Sequence, residues 1–288
     1  MRVTVTVAAS AANLGPGFDC FGLALDLCNE VTLDTDSAGG VTWEGEGAGE
    51  LPTDGSDLVS RAITTVASRM NVEVPSFALH GVNHIPLERG LGSSAAATVA
   101  GVVLASAVAG LGWHLDRATV FAVAAELEGH PDNAAAAVYG GFTLAMPDGS
   151  VHRFDPHTSV RPVAIVPPNR SETAAARAVL EPSVARGDAV FNLAHAALAT
   201  HAFTADPTLL RQALRDRLHQ AARIELADTA DIVAVLEAEH LPWCVSGSGP
   251  TILAFETSGD EVTLEMLGVT SSWAVIRPGV RLGGYELV

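Results

Sequence analysis

The sequence predicts an α+β fold, not a regular doubly wound sheet, on three observations. Strand-like stretches come first, then helices, then strands again, with uneven spacing between them. Apolar residues make up 48% of the 288 residues and charged residues 17%, so the chain can bury a large core and is long enough for two domains. The texture changes after Pro147, which puts a boundary near 155–160 and divides the chain into 1–157 and 158–288.

Alternation of apolar and polar residues predicts strands at 2–8, 27–35 and 41–45. Helical periodicity follows over 57–70, with Asp57 placed as its N-cap, and then a strand near 74–83. "ERGLGSSAAATVA" (88–100) reads as a glycine loop opening an alanine-rich helix, with a second helix over about 116–129. "GHPDNAAAAVYGGF" predicts a tight turn, a short helix starting near Asp132, a stop at Gly140–Gly141 and a strand over 142–146. In the second half, "RPVAIVPPN" (161–169) is a strand running into a proline break, followed by two or three helices between 172 and 238. "PWCVSGSGPTILAF" (242–255) reads as strand, glycine turn, strand; a helix near 259–267 and two further strands complete the pattern.

Composition excludes several kinds of function. A net charge of −17 argues against nucleic acid or an anionic membrane as partner, so an anionic ligand must be held by local dipoles, a cation or a few arginines. All 16 basic residues are arginine. Without lysine the chain cannot be a P-loop NTPase, a protein kinase or a Schiff-base enzyme. Cys20, Cys28 and Cys244 lack metal-ligand spacing and make no disulfide framework. The opening "MRVTVTVAAS" alternates like a strand and has no signal-peptide core. Ala95–Trp113 carries no charge, but it is so rich in Ala and Gly that it suits a buried helix better than a membrane span. A cytoplasmic protein is expected.

Gly90 and Gly92 let the backbone turn with positive φ and let a bulky anion reach the amides. A helix starting near Ser93 points unpaired N–H groups and the positive end of its dipole at the same spot. Taken alone, these residues fit a phosphate cradle or a serine cap on a core helix. The run Pro86, Leu87, Glu88, Arg89, Gly90, Leu91, Gly92, Ser93, Ser94, Ala95, Ala96 resembles the P-x-x-x-G-L-G-S-S-A-A signature of the GHMP kinases over its full length. That resemblance implies ATP on this loop and a two-domain fold. The N-terminal domain would be like domain 2 of ribosomal protein S5, and the C-terminal domain ferredoxin-like. It also implies Mg²⁺ held by Ser94 and a helix glutamate of "AAELEGHPDN" (124–133): Glu126 first, Glu128 as its substitute.

Other segments extend the resemblance over nearly the whole chain. "SGSGPTILAF" (246–255) is similar to the family's third motif and would bring Ser246, Gly247, Ser248 and Gly249 against the phosphate loop, with Gly247 and Ser248 touching the acceptor. "AASAANLGPGFDCFGLALDL" (8–27) resembles the homoserine kinase branch of the family. It implies L-homoserine as acceptor, with Asn13 and Asp19 gripping its hydroxyl and amino end. "ETAAARAVL" (172–180) and "RLHQAARIEL" (217–226) are similar to two arginine segments of that branch, and put Arg177 and Arg223 on the substrate carboxylate, which arginine forks bind well. Two departures stand beside these arginines: Leu180-Glu181-Pro182 for Leu-Pro, and Ala221-Ala222 for Pro-Tyr. His130 is expected to contact substrate, and Asn133 to position the hydroxyl or a phosphate; Asn13, Asp19 and Asn133 form the expected catalytic set. The rival expectations are a GHMP kinase acting on another small alcohol, such as an isoprenoid alcohol, and a catalytically silent nucleotide-binding regulator. A homodimer is compatible with the resemblance.

Overall fold

The computed structural model describes residues 1–37, 39–108, 116–256 and 261–288. Strand β1 (Arg2–Ala12) pairs antiparallel with β2 (Phe21–Asp34) along almost its whole length, with a bulge between Ala8 and Ala9. β1 runs past its expected end at residue 8, and β2 begins before its expected start. The expected strand at 27–35 starts instead at Phe21, because Leu23, Ala24 and Leu25 are buried beside β1 and leave no room for a longer loop.

Strand β3 (Gly40–Gly45) runs parallel to β4 (Ala78–Asn83), and α1 (Leu58–Met70) makes the crossover that parallel strands require. Asp57 caps α1 as expected: its side chain accepts from the Ser60 N–H at 2.9 Å. The expected strand at 74–83 is shorter, since 72–77 form no ladder on the approach from Pro75.

Helix α2 (Ser93–Val108) lies at the centre of this half, against β1 and between α1 and α3 (Arg117–Glu128). Its uncharged sequence has that reason: Ala96, Val99, Val102, Val103 and Leu104 are all buried, and Gly101 brings its backbone against Val59 and Ala62 of α1. Residues 109–113 of the long uncharged run lie outside the described residues. Among the described residues no helix is long and apolar enough to cross a membrane. Helix α4 (Pro131–Tyr139) packs on β1, β2 and β5 (Phe142–Ala145); a strand not expected from the sequence, β6 (Val151–Phe154), pairs with β5.

The second sheet holds β7 (Pro162–Val166), β8 (Trp243–Val245), β9 (Ile252–Phe255) and β10 (Ala274–Ile276) in the order β10-β7-β9-β8, every neighbour antiparallel. Counted along this half the order is 4-1-3-2, the ferredoxin-like pattern. Helices α5 (Thr173–Ala178), α6 (Arg186–Thr204), α7 (Leu210–Ala213), α8 (Gln220–Ala227) and α9 (Ala230–Ala238) stand between β7 and β8. The helix expected near 259–267 is corrected over its described part: 261–263 are irregular, 264–268 form hydrogen-bonded turns, and 257–260 lie outside the described residues. The last strand, β11 (Glu286–Leu287), returns to pair with β1 in the first sheet.

One core cluster spans both halves, beside a second that lies within the second half. Phe142 of β5 stacks on Phe203 of α6 at 4.9 Å, and Phe203 meets Phe255 of β9 edge-on at 5.5 Å.

Candidate active site

A cleft of about 790 Å³ lies where the two halves meet; the loop Leu87–Ala96 forms one wall and Asn13, Asp19, Arg177 and Arg223 the far end. At the loop the chain takes positive φ at Glu88, Gly90 and Gly92. A Cβ at Gly90 would collide with the carbonyl oxygens of Ser246 and Gly249, and one at Gly92 with the Ser10 hydroxyl. Only glycine fits either place. Three contacts fix the loop from both halves: the Ser10 N–H donates to the Leu91 carbonyl at 3.0 Å, the Ser246 hydroxyl to the Gly90 carbonyl at 2.7 Å, and the Ser171 N–H to the Glu88 carbonyl at 2.9 Å.

Ser93 then opens α2, so the first amides of a long buried helix face the cleft and can hold phosphate oxygens. Arg89, a loop cation in the sequence, is spent on structure. Its guanidinium donates to the carbonyls of Leu87, Pro167 and Pro168 at 2.9, 3.0 and 2.8 Å.

The glutamate expected to help hold Mg²⁺ is corrected by the geometry. Glu126 is 65% exposed and forms a two-pronged ion pair with Arg69 at 2.7 and 2.8 Å, away from the cleft. Its substitute Glu128 faces the loop, accepting from the Ser94 hydroxyl at 3.0 Å and the Thr98 hydroxyl at 2.5 Å. The reason is helical phase: residues two apart on α3 point to different sides. A carboxylate flanked by two hydroxyls is a hard-oxygen donor set beside a phosphate cradle, which suits Mg²⁺.

At the other end Asn13, Leu14 and Asp19 all have positive φ, which coils the loop between β1 and β2 tightly over the cleft. Asn13 accepts from the Asp19 N–H at 3.0 Å and donates to the Gly247 carbonyl at 2.9 Å, so the N-terminal loop and the third motif are one assembly. The Gly247 N–H donates in turn to the Ala12 carbonyl at 3.0 Å. Arg177 clamps Asp19 with two hydrogen bonds at 2.9 and 2.8 Å, which raises the pKa of the guanidinium.

Arg223 is buried; burial pulls its pKa down while Asp19 and Asp132 pull it up, and its Nε is buried with no partner. Ser248 also faces the cleft, 3.4 Å from the Thr173 hydroxyl. Asn133 is held by the Ser10 hydroxyl at 2.9 Å, and His130 lies 4.0 Å from Asp132 with its Nδ1 buried and unpartnered.

The structure thus brings together Asn13, Asp19, Gly90–Ala96, His130, Asn133, Arg177, Arg223, Gly247 and Ser248 around one cleft. Four contributors went unpicked in the sequence. Asp132 is buried at the cleft wall, and burial raises its pKa. Its sequence signal was its place inside "GHPDN", where a helix cap is an equally good reading. Thr98 and Ser10 gave no signal, because each acts through a partner far away in sequence; His219 stood inside "RLHQAARIEL" and was passed over for the arginine four residues on. Chemically the cleft offers phosphate-binding amides at one end. At the other it offers paired carboxylates and guanidiniums, the complement of a small zwitterion.

The chain is similar to known proteins over nearly its whole length. A family model described as the GHMP kinases N terminal domain matches residues 57–141. A homoserine kinase from Corynebacterium kroppenstedtii is 42% identical over 282 residues, covering 94% of this chain and 90% of the relative. One from Mycolicibacterium vanbaalenii is 41% identical over 298 residues, covering 98% and 94%. Among solved structures, the homoserine kinase from Cytophaga hutchinsonii superposes with a TM-score of 0.81 at 27% identity, covering 100% of this chain and 97% of that one. A mevalonate diphosphate decarboxylase from Staphylococcus aureus, 12% identical with a TM-score of 0.68, shares the fold.

Proposed function

The chain belongs to the homoserine kinase family of the GHMP kinases, and we infer from the cleft how it transfers the γ-phosphoryl group of ATP to the side-chain hydroxyl of L-homoserine, giving O-phospho-L-homoserine and ADP on the route to threonine. The observation that carries the residue-level reading is the two-ended cleft: a helix N-terminus built on Gly90 and Gly92, facing the Asp19–Arg177 pair and the unpartnered Nε of Arg223.

The amides of the Gly90–Ser94 turn hold the triphosphate, replacing the lysine that this chain lacks. Ser94 and Glu128, with Thr98 supporting the carboxylate, would hold Mg²⁺, which supplies positive charge to the β- and γ-phosphates when bound. Arg223 takes the homoserine carboxylate, with Arg177 beside it. Asp19 and the buried Asp132 take the ammonium group, whose positive charge offsets the cost of their desolvation. Asn13, fixed to Gly247, and Asn133, fixed by Ser10, position the hydroxyl and the phosphate it attacks.

Phosphoryl transfer draws most of its rate from placement and charge neutralisation, which these groups supply, and the hydroxyl proton can pass to the phosphate. The chain divides on this proposal at 157/158, with the cleft between the two units and the last residues, from Val280 to β11, returning to the first sheet; a cytoplasmic homodimer is compatible with it.

ADP release with MgATP and a panel of L-homoserine, mevalonate, shikimate and galactose tests the assignment. Turnover confined to homoserine is expected. Preference for mevalonate would overturn the acceptor, and no turnover with any alcohol would favour a nucleotide-binding regulator.

A further inference from the structure

Arg223 cannot act as a free cation, because its Nη1 is already committed. One hydrogen goes to the Gly247 carbonyl at 2.7 Å, and His219 Nδ1 lies 3.2 Å from the same nitrogen. The other ring nitrogen of His219, Nε2, lies 2.8 Å from the Gly15 carbonyl. A carbonyl only accepts, so Nε2 carries the ring hydrogen and Nδ1 is left to accept from Arg223.

The ring is neutral, in keeping with the burial that lowers its pKa to about 4. It is also held in place. The residue is 2% exposed, Phe18 packs on the ring at 5.3 Å, and Asp216 accepts from the backbone N–H groups of His219 and Gln220, each at 2.8 Å, fixing the start of α8. Phe18 in turn lies under both guanidiniums, 5.6 Å from Arg177 and 5.4 Å from Arg223.

With both Nη1 hydrogens used, the guanidinium can rotate no further, and the edge formed by Nε and Nη2 is the one left for a ligand. Nε, buried without a partner, marks it. That edge presents two parallel N–H groups, the geometry that binds a carboxylate in two-pronged fashion. We propose that His219 is a positioning residue for the acceptor: it bridges Gly15 of the hydroxyl-binding loop to Arg223 and turns the Nε–Nη2 edge of that arginine toward the substrate carboxylate. The two ends of the homoserine molecule are then held in a fixed relation by one ring. This rests on the reading of Arg223 as the carboxylate ligand, and the test separates the two.

Steady-state KM values for homoserine and for ATP are measured in His219→Ala, His219→Asn, Arg223→Ala and the double variant His219→Ala/Arg223→Ala. Loss of an acceptor that orients a charged donor is expected to raise the homoserine KM about tenfold or more in His219→Ala, with the ATP KM within about twofold of wild type. Asn, whose side-chain oxygen can stand where Nδ1 stands, is expected to recover most of that loss. The double variant should be no worse than Arg223→Ala alone, because both changes remove the same orientation. A homoserine analogue with its carboxylate reduced to an alcohol should suffer at least about tenfold less from His219→Ala than homoserine does, read as the ratio of kcat/KM values.

Additive effects of the two substitutions, a parallel rise in ATP KM, or equal losses on both acceptors would overturn the role of His219. If Arg223→Ala leaves the homoserine KM unchanged, the carboxylate reading itself falls. If it raises that KM while His219→Ala does not, only the positioning role is lost.

Discussion

At the proposed phosphate end of the cleft, a single run of chain from Leu87 to Ala96 forms the wall, and the groups it offers are mostly backbone amides. At the acceptor end, side chains arrive from segments as far apart as Asn13 and Ser248, and each is aimed by a partner from another segment. The difference reflects the ligands. A triphosphate is large, uniformly anionic and indifferent to fine angle, so a helix N-terminus and open backbone suffice. A small zwitterion must be told apart from other amino acids, which takes opposed charges at set distances. One end should tolerate almost no change in its glycines; the other should tolerate substitutions whose costs fall on one substrate only.

Four changes sharpen or break this contrast, in falling order of effect. Gly90→Val should all but abolish activity with every acceptor. A side chain there meets the Ser246 and Gly249 carbonyls and must also adopt positive φ, so kcat/KM should fall by about a thousandfold or more. A variant with near-normal activity would show that the loop is not the phosphate cradle. Glu128→Gln should cost roughly a hundredfold in activity and shift the Mg²⁺ requirement upward, because Ser94 and Thr98 lose the carboxylate between them. An unchanged Mg²⁺ titration would remove Glu128 from the metal.

A third, milder effect is on stability against pH. His219 has its pKa lowered to about 4 in the folded chain, against the ordinary 6.5. Between those values the unfolded chain binds a proton that the folded one refuses, so this contribution is fully present above pH 6.5 and is lost as pH falls toward 4. The slope it adds is at most about 1.4 kcal/mol per pH unit. Burial of Asp132 acts in the opposite direction, since its raised pKa favours the folded chain as pH falls. Thermal melts of wild type and His219→Asn from pH 7 to 4.5 test the histidine together with the Asp216 carboxylate 3.9 Å from its Nε2. The variant should show a flatter decline, and equal slopes would contradict the neutral buried ring. Smallest of all, Glu126→Gln should leave kcat, KM and the melting temperature close to wild type, because its pair with Arg69 is solvent-exposed. A large loss of activity there would restore the metal role expected from sequence.

Glu126 and Glu128 show where sequence reading ends. Both stand in "AAELEGHPDN", equally acidic and equally near the phosphate loop along the chain. Which one faces Ser94 depends on the rotation of α3 against α2, a packing outcome that no local pattern encodes. The same limit hid β6, whose pairing is set by β5, and the extension of β2 to Phe21, which looked like loop because Gly15, Pro16 and Gly17 stand just before it. Arg89 carried the reverse trap. A cation in a phosphate loop invites a ligand role, yet three carbonyls from two segments hold it in structure.

By itself the sequence determined the α+β class, the missing lysine with the chemistries it excludes, and the glycine turn before a buried helix. Each is a local property: composition, a contiguous pattern, or a conformation only glycine can adopt. Tertiary structure decided the partners. It chose Glu128 over Glu126, buried Asp132 at the cleft wall, joined the third motif to the first loop through Gly247 and Ala12, and set His219 between Gly15 and Arg223. Those are relations between side chains brought together by the packing of two sheets on one core. Hydrogen-bond geometry at that range is fixed to tenths of an ångström only once the whole chain has folded.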